Sequence, residues 1–131
     1  MLQQQALSGK RILVVEDEWG VAMFLRQTLE DAGATVVGVA DTCLDACQIL
    51  DGTGVEAAVI DLHLRGGGTG HPLAHLLALR RIPFLIGTGH AAEASRVHPD
   101  AVVLQKPFSG ADLIAAVESL LGGRVAQRAH N

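Results

Sequence analysis

The sequence predicts an α/β fold in which a doubly wound, parallel, five-stranded sheet carries helices on both faces. Short apolar runs rich in β-branched residues alternate five times with segments whose apolar residues recur at helical spacing. Because right-handed crossovers connect consecutive parallel strands, the carboxyl ends of all the strands lie at one edge of the sheet. Acidic, hydroxyl and ammonium side chains follow several of these strands directly. We therefore expect the functional site at that edge.

Composition narrows the class of protein. The 131 residues are 49% hydrophobic, which fits one compact domain, and the net charge of −4 comes without a dense Lys/Arg cluster. We therefore expect no nucleic-acid binding. No apolar run approaches the roughly 18 residues that cross a bilayer, and the N-terminus lacks the layout of a signal peptide. These features predict a cytoplasmic protein that makes no membrane contact.

We divide the chain into a polar leader over residues 1–9, one domain over residues 10–122 and a C-terminal tail over residues 123–131. The composition includes two cysteines, Cys43 and Cys47. Their spacing of one helical turn favours two thiols packed in the core over a disulfide bond.

The first βα unit begins with Arg11–Val15, a β-branched run that predicts a buried strand. The first helix follows and ends at Gly33, a residue type suited to the position after a helix. Its inward positions, read from helical spacing, are Val21, Phe24, Leu25, Leu29 and Ala32. Residues 35–39 predict the second strand.

The second helix starts after Asp41 or Thr42, either of which can cap it, and Gly52 and Gly54 end it. Its inward positions are Cys43, Ala46, Cys47 and Leu50. Residues 55–64 contain the third strand, an apolar run that ends in a carboxylate.

A third helix, a fourth strand and a fourth helix come next in the chain. A glycine-rich stretch over residues 66–70 precedes a third helix, in which Pro72 suits the first turn and which ends at Arg80 and Arg81. The inward positions of the third helix are Leu73, Leu76 and Leu77. Residues 82–88 predict the fourth strand, and the short fourth helix over Ala91–Val97 has only a weak helical pattern.

The last βα unit pairs a fifth strand over residues 101–105 with a fifth helix. Ser109, followed three residues later by Asp112, makes a cap-like start for this helix. Its inward positions are Leu113, Ala116, Val117, Leu120 and Leu121.

Polar residues follow the ends of the first, third, fourth and fifth strands. They are Glu16, Asp17, Asp61, Thr88 and Lys106. Carboxylates buried together need a compensating cation, and an all-oxygen ligand set favours Mg²⁺ over Zn²⁺. A carboxylate shielded by a metal and an ammonium group can also attack phosphorus as a nucleophile. The sheet edge therefore predicts a magnesium site with Asp61 as the first candidate for a phosphorus nucleophile.

These residues also carry a resemblance to a known family, the receiver domain of two-component response regulators. The matching motifs, in the family's order, are Val14-Val15-Glu16-Asp17-Glu18, Val59-Ile60-Asp61-Leu62-His63-Leu64, Thr88-Gly89 and Lys106-Pro107-Phe108. The resemblance covers residues 11 to 121. It implies a flavodoxin-like (βα)₅ fold with strand order 2-1-3-4-5.

The resemblance implies a role for each site residue. Asp61 would be the phosphoacceptor, with Thr88 and Lys106 binding the phosphoryl group. The magnesium ligands would be Glu16, Asp17, Asp61 and the backbone carbonyl of His63. A sensor histidine kinase or phosphotransfer protein would donate the phosphoryl group, and the domain would catalyse only its own phosphorylation and dephosphorylation. The family usually has a cis bond at the position of Lys106-Pro107, which proline makes accessible.

The chain departs from the common receiver pattern at one switch position. Receivers commonly carry Tyr or Phe three residues before the lysine, where the ring rotates on activation. Val103 occupies that position here, so the usual coupling of threonine to tyrosine cannot operate. The chain is similar to a subgroup of stand-alone receivers called FAT GUY, after a fourth-strand Phe-Ala-Thr-Gly motif. Ile86-Gly87-Thr88-Gly89 is a variant of that motif.

Several residues outside these motifs invite a functional interpretation. His71 and His75 lie one helical turn apart and offer half of a zinc site, but no third ligand is close in sequence, which favours solvent-facing side chains. His63 and His90 each follow a site residue by two positions, and we expect either one to border the phosphoryl group. Trp19 is either a rim residue of the site or the exposed start of the first helix.

The resulting hypothesis is a single-domain response regulator that acts through a downstream protein partner, as a monomer or weak homodimer. One alternative is a receiver-like docking module that works without phosphorylation. The absence of an aromatic residue at the switch position favours this alternative. A phosphohydrolase with Asp61 as nucleophile is a second alternative, although His63 stands where such enzymes place an aspartate. A flavin-binding relative is a third, but no Ser/Thr-rich phosphate loop follows the first strand.

Overall fold

The computed structural model describes residues 5–63 and 70–122, in which strands and helices alternate along the chain. The strands are β1 (Arg11–Val15), β2 (Thr35–Ala40), β3 (Ala57–Ile60), β4 (Phe84–Thr88) and β5 (Val102–Gln105). The helices are α1 (Trp19–Asp31), α2 (Cys43–Gly52), α3 (His71–Leu79), α4 (Ala91–Val97) and α5 (Gly110–Gly122). The predictions for residues 1–4 of the leader, for residues 64–69 of the third-strand and glycine-rich segments and for the tail over residues 123–131 lie outside the described residues.

The strands form one parallel sheet in the order β2-β1-β3-β4-β5, which confirms the predicted fold class and strand order. β1 lies between β2 and β3, so that Val14 is opposite Val39 on one side and Val59 on the other. Every residue of β3 is buried, as expected of a central strand covered on both faces. The sheet therefore needs helices on both sides.

Two hydrophobic cores fill the space between the sheet and its helices. Leu13 and Val15 point to the face covered by α2, α3 and α4, whereas Ile12 and Val14 point to the face covered by α1 and α5. This division follows from the alternation of side chains along a strand. It confirms the doubly wound arrangement predicted from the sequence.

The strand boundaries differ slightly from the predicted ones. β2 continues to Ala40, because Ala40 pairs with Val15 of β1. β4 begins at Phe84 rather than at residue 82. Pro83 has no N–H to donate, although its carbonyl accepts a hydrogen bond from the Ala58 N–H at 3.1 Å. β5 begins one residue later than predicted.

Helix boundaries follow the caps that the sequence offers. Thr42, rather than Asp41, caps α2, because its side chain accepts a hydrogen bond from the Asp45 N–H at 3.1 Å. Gly52 does not break this helix but is its last residue, which corrects the prediction. The predicted cap of α5 is confirmed, since Ser109 Oγ accepts a hydrogen bond from the Asp112 N–H at 3.0 Å.

Two apolar residues lie where the sequence pattern did not place them. Phe24 was predicted to face inward, but it is 39% exposed, and its ring centroid lies 6.3 Å from that of Phe108. Ala22, rather than Phe24, joins Leu25 and Leu29 in the buried stripe of α1. Leu7, within the predicted leader, is buried in the core, and its N–H donates to the Ala32 carbonyl at 2.9 Å.

Two broad predictions can be compared with the described residues. Cys43 and Cys47 are both thiols rather than a disulfide, as the sequence predicted. Among the described helices, none combines the length and the apolar character that spanning a membrane requires.

Candidate functional site

The site lies where the carboxyl ends of the central strands meet. Glu16 follows β1, and its N–H donates to the Ala40 carbonyl at 2.9 Å. Asp61 follows β3, and its N–H donates to the Val15 carbonyl at 2.9 Å. These hydrogen bonds extend the parallel pairing by one residue beyond the strands. The two carboxylate side chains therefore leave the sheet side by side.

Three carboxylates form a compact acidic cluster at this edge. Glu16, Asp17 and Asp61 each offer one oxygen, and these oxygens lie within 4.8 Å of one another. Glu16 is 3% exposed and Asp61 is 7% exposed, so water screens their mutual repulsion poorly. A hard divalent cation with oxygen ligands would offset that repulsion. The residues present therefore fit Mg²⁺, the ion that the sequence predicted.

Lys106 brings positive charge to the same cluster. Its Nζ lies 2.9 Å from Glu16 Oε1 and 3.4 Å from Asp61 Oδ2. Burial lowers the pKa of Lys106, but the hydrogen bond to Glu16 and the charge of Asp61 outweigh burial, so that the pKa is raised overall. Burial also raises the pKa of Glu16, and the contacts with Lys106 only partly offset this effect. The ammonium group therefore stays charged beside two buried carboxylates.

Thr88 ends β4 and is 1% exposed. Its carbonyl accepts a hydrogen bond from the Lys106 N–H at 2.7 Å, which ties the end of β4 to the end of β5. Its Oγ1 accepts a hydrogen bond from the His90 N–H at 3.1 Å. Because the hydroxyl only accepts in that contact, it keeps its own hydrogen to donate.

The Asp61 carboxylate is held at both oxygens. Oδ1 accepts a hydrogen bond from the His63 N–H at 3.1 Å, while Oδ2 faces Lys106. The imidazole rings of His63 and His90 meet edge to face, with centroids 5.6 Å apart. His63 comes two residues after Asp61, and His90 comes two residues after Thr88. The predicted metal contact of the His63 carbonyl stays a prediction.

Comparison with known families identifies the class of protein to which these site residues belong. The sequence profile described as "Response regulator receiver domain" matches residues 12–118, which include every predicted site residue. The chain belongs to the response regulator receiver family. The resemblance stated from the sequence motifs is thereby confirmed, and with it the assignment to two-component signalling.

Several individual proteins are similar to this receiver in sequence or in structure. It is 35% identical over 120 residues to the transcriptional regulatory protein TcrA of Mycobacterium tuberculosis, a match covering 87% of this chain and 47% of TcrA. The chain spans less than half the length of the curated relatives that it matches. The structure of SdrG from Sphingomonas melonis Fr1 is 41% identical, with a TM-score of 0.74 over 86% of this chain and 97% of SdrG. A receiver protein from Sinorhizobium medicae WSM419 is 31% identical, with a TM-score of 0.80 over 90% of this chain and 98% of its own.

The switch position of this receiver is occupied by an aliphatic residue. Val103 lies in β5 and packs, partly buried, against the core cluster on the α2, α3 and α4 side. The Lys106–Pro107 peptide bond is cis, as the resemblance implied. Phe108 follows it and lies against β4, where a Cβ on Gly87 would stand 3.2 Å from the Phe108 ring. The Phe108 ring thus packs against Gly87, one residue before Thr88.

Trp19 is the first residue of α1, and 76% of it is exposed. Of the two interpretations left open by the sequence, the structure supports an exposed helix start. The cleft beside the site, about 450 Å³ in volume, is lined by residues on either side of Trp19 and by the segment from Lys106 to Phe108.

The histidines of α3 have a partner that the sequence did not reveal. His71 Nδ1 lies 2.8 Å from His98 Nε2, and the ring centroids of His75 and His98 are 5.4 Å apart. The expectation that both α3 histidines face solvent is therefore wrong for His71, while His75 is exposed as expected. His98 follows α4 and is distant in sequence. Only the packing of the end of α4 against α3 brings the three together.

Acidification should destabilise this receiver through His98. Burial lowers the pKa of His98 from its ordinary value, and the charges of His71 and His75 lower it further. The unfolded chain therefore binds this proton at a higher pH than the folded chain does. Stability is lost as the pH falls through the ordinary histidine value of about 6.5 towards the lowered one.

Urea unfolding in EDTA at about pH 7.5 and about pH 5.5 measures this loss of stability, in the range where histidine titrates. We expect the loss to shrink in His98→Gln. Should that variant not fold, His75→Gln removes one neighbouring charge from an exposed position and should give a smaller reduction. An equal loss in wild type and in both variants contradicts the assignment to His98.

Substitution of Gly70 by alanine should distort the acidic edge. A Cβ at Gly70 would stand 2.5 Å from the Asp61 carbonyl oxygen and 3.1 Å from Leu62 Cα. Because both atoms belong to the backbone, the clash moves the start of α3 or the end of β3, at a cost of about 1 to 3 kcal/mol. Gly52→Ala is the matched control, since nothing lies within 4 Å of a Cβ there. Urea unfolding should separate the two variants, and equal stabilities would contradict the close approach at Gly70.

Proposed function

We propose that Asp61 of this receiver accepts a phosphoryl group from a sensor histidine kinase or a phosphotransfer protein, and that the phosphorylated form acts by binding another protein. The observation that carries this proposal is the setting of Asp61. It is a buried carboxylate at the end of β3, with the Lys106 ammonium 3.4 Å from one oxygen and two further carboxylates beside it. A structural role alone would not require this concentration of charge.

The chemistry follows from the groups at the site. One oxygen of Asp61 attacks the phosphorus atom, and the new O–P bond forms as the N–P bond of a donor phosphohistidine breaks, leaving the bonding electrons with the imidazole. A bound Mg²⁺ would neutralise charge on the phosphoryl oxygens, and the side chains that would hold it are those of Glu16, Asp17 and Asp61. Water later attacks phosphorus, which releases phosphate and restores the carboxylate.

Lys106 and Thr88 bind the phosphoryl group in this proposal. The Lys106 ammonium already lies between Glu16 and Asp61, so a phosphoryl group on Asp61 places new anionic oxygens within its reach. Thr88 ends the neighbouring strand and has a hydroxyl hydrogen to donate. Neither residue takes part in bond breaking. Both stabilise charge on the transferred group.

Signalling requires a surface that responds to the new charge of about −1.5 to −2. α4 is the element that we expect to respond, because it begins three residues after Thr88, has seven residues and buries Ala94 alone. A hydrogen bond from the Thr88 hydroxyl to the phosphoryl group would move Thr88 and, with it, the segment that leads into α4. With Val103 in place of an aromatic residue, the change reaches the partner through α4 rather than through ring rotation.

Incubation with acetyl phosphate and Mg²⁺, followed by intact-mass spectrometry, tests the proposal. We expect the gain of one phosphoryl group, and we expect none when EDTA removes the metal. A folded protein that gains nothing would contradict the proposal and would favour the phosphorylation-independent docking module. Circular dichroism on the same samples establishes that the protein is folded.

A further inference from the structure

We propose that His71, His75 and His98 form a binding site for a divalent transition metal ion of the zinc class, at the contact between α3 and the end of α4. This site is separate from the acidic cluster at the sheet edge and does not depend on phosphorylation of Asp61. Its ligands would be neutral imidazole nitrogens, which suit zinc and its neighbours and not magnesium.

The first two ligands already meet. His71 Nδ1 and His98 Nε2 are 2.8 Å apart, and their rings stack with centroids separated by 5.1 Å. Two nitrogens bound to one tetrahedral zinc, each at 2.0 to 2.1 Å, lie about 3.3 Å from each other. Zinc binding therefore requires the two nitrogens to move about half an ångström apart and the rings to turn so that both lone pairs point at the ion, which replaces the hydrogen between them.

The third ligand comes from the same helix as the first. His75 lies one turn after His71 in α3, the spacing at which two histidines of a helix hold one metal ion. Its ring centroid lies 5.4 Å from that of His98. The ring nitrogens of the three histidines do not all lie within 4.8 Å of one another. Among the described residues, only the ligand atoms of the acidic cluster are that close together. Because His75 is exposed, rotation of its side chain can bring the third nitrogen to the ion.

The surroundings suit a metal ion as well. His98 is 8% exposed, so an ion bound to it would be largely shielded from water. A cavity of about 200 Å³ borders His75 and His98 and is also lined by Asp100, which is exposed. The cavity gives an entry path and room for a fourth ligand, either water or the Asp100 carboxylate.

Other candidate ligands in the chain are less suited to zinc. The acidic cluster offers oxygen ligands that suit Mg²⁺. Cys43 and Cys47 lie one turn apart on α2, but burial raises the pKa of the Cys43 thiol, and the charge of Cys47 raises it further. A thiol held in its protonated form is a poor metal ligand.

Isothermal titration of the full chain with Zn²⁺, in buffer already saturated with Mg²⁺, tests the proposal. We expect one zinc ion per chain and a higher Tm in the presence of zinc, because the ion binds the folded chain and bridges two helices. We expect Co²⁺ to bind in the same place and to give visible absorption typical of nitrogen ligands. His71→Gln, His75→Gln and His98→Gln should each weaken zinc binding by about tenfold or more.

The exposed His75 provides the decisive variant, because its replacement does not disturb the core even if His98→Gln fails to fold. Matched controls are the double variant Cys43→Ser with Cys47→Ser, the double variant His63→Gln with His90→Gln, and His130→Gln in the tail outside the described residues. All three should bind zinc as wild type does. Wild-type affinity in His75→Gln, or loss of binding in any of the three controls, overturns the proposal.

Discussion

Asp61→Asn should gain no phosphoryl group from acetyl phosphate and Mg²⁺ under conditions in which the wild-type chain is phosphorylated. The amide keeps the size of the side chain but lacks a nucleophilic oxygen, so that the O–P bond cannot form. The change also removes one of three negative charges crowded within 4.8 Å, so the folded state should be at least as stable as that of the wild type. Loss of phosphorylation would then not be explained by unfolding.

Asp41→Asn is the matched control for this experiment. Asp41 follows β2 as Asp61 follows β3, but it is exposed and lies outside the acidic cluster. Intact-mass spectra should show the phosphoryl group in Asp41→Asn and none in Asp61→Asn. Phosphorylation of a folded Asp61→Asn variant at the wild-type level would show that another residue is the phosphoacceptor.

Lys106→Met should destabilise the metal-free protein by about 2 to 4 kcal/mol, because removal of one partner leaves buried charges without compensation. Methionine has nearly the same shape as the lysine stem, so the loss is one of charge. The Glu16 side chain is 2% exposed and that of Asp61 9%, whereas that of Lys106 is 24% exposed. Partial exposure of the ammonium group favours the lower end of this range. Mg²⁺ should restore much of the stability, since a divalent cation compensates the same carboxylates.

Urea unfolding with and without Mg²⁺ measures both effects. Arg26→Gln is the control, because Arg26 pairs with Glu30 at 3.2 Å on the surface of α1, with side chains 47% and 39% exposed. Loss of this exposed pair should cost no more than about 0.5 kcal/mol and should not respond to Mg²⁺. If Lys106→Met is as stable as Arg26→Gln in EDTA, the ammonium group does not compensate the buried carboxylates.

Residue patterns along the chain were enough to predict the architecture and to assign each site residue to the end of a strand. Alternating apolar runs and helical stripes define five βα units, and the handedness of the crossovers places Asp61 and Lys106 at the same edge of the sheet. Local caps such as Ser109 with Asp112 were also visible, because their hydrogen bonds join residues only three positions apart. Such features depend on neighbours in the chain, which periodicity and residue type describe well.

The contacts between distant side chains, by contrast, are visible only in the folded chain. The contact of Lys106 with Glu16 joins residues 90 positions apart, and that of His71 with His98 joins residues 27 positions apart. The sequence placed Lys106 and Glu16 at the same edge of the sheet but did not show that they touch. Nothing in it indicated the contact of His71 with His98, which depends on how α4 packs against the rest of the fold. Phe24 faces outward for the same reason, because smaller side chains fill the available space beneath α1. Periodicity gives the direction of a side chain, but close packing decides its neighbours.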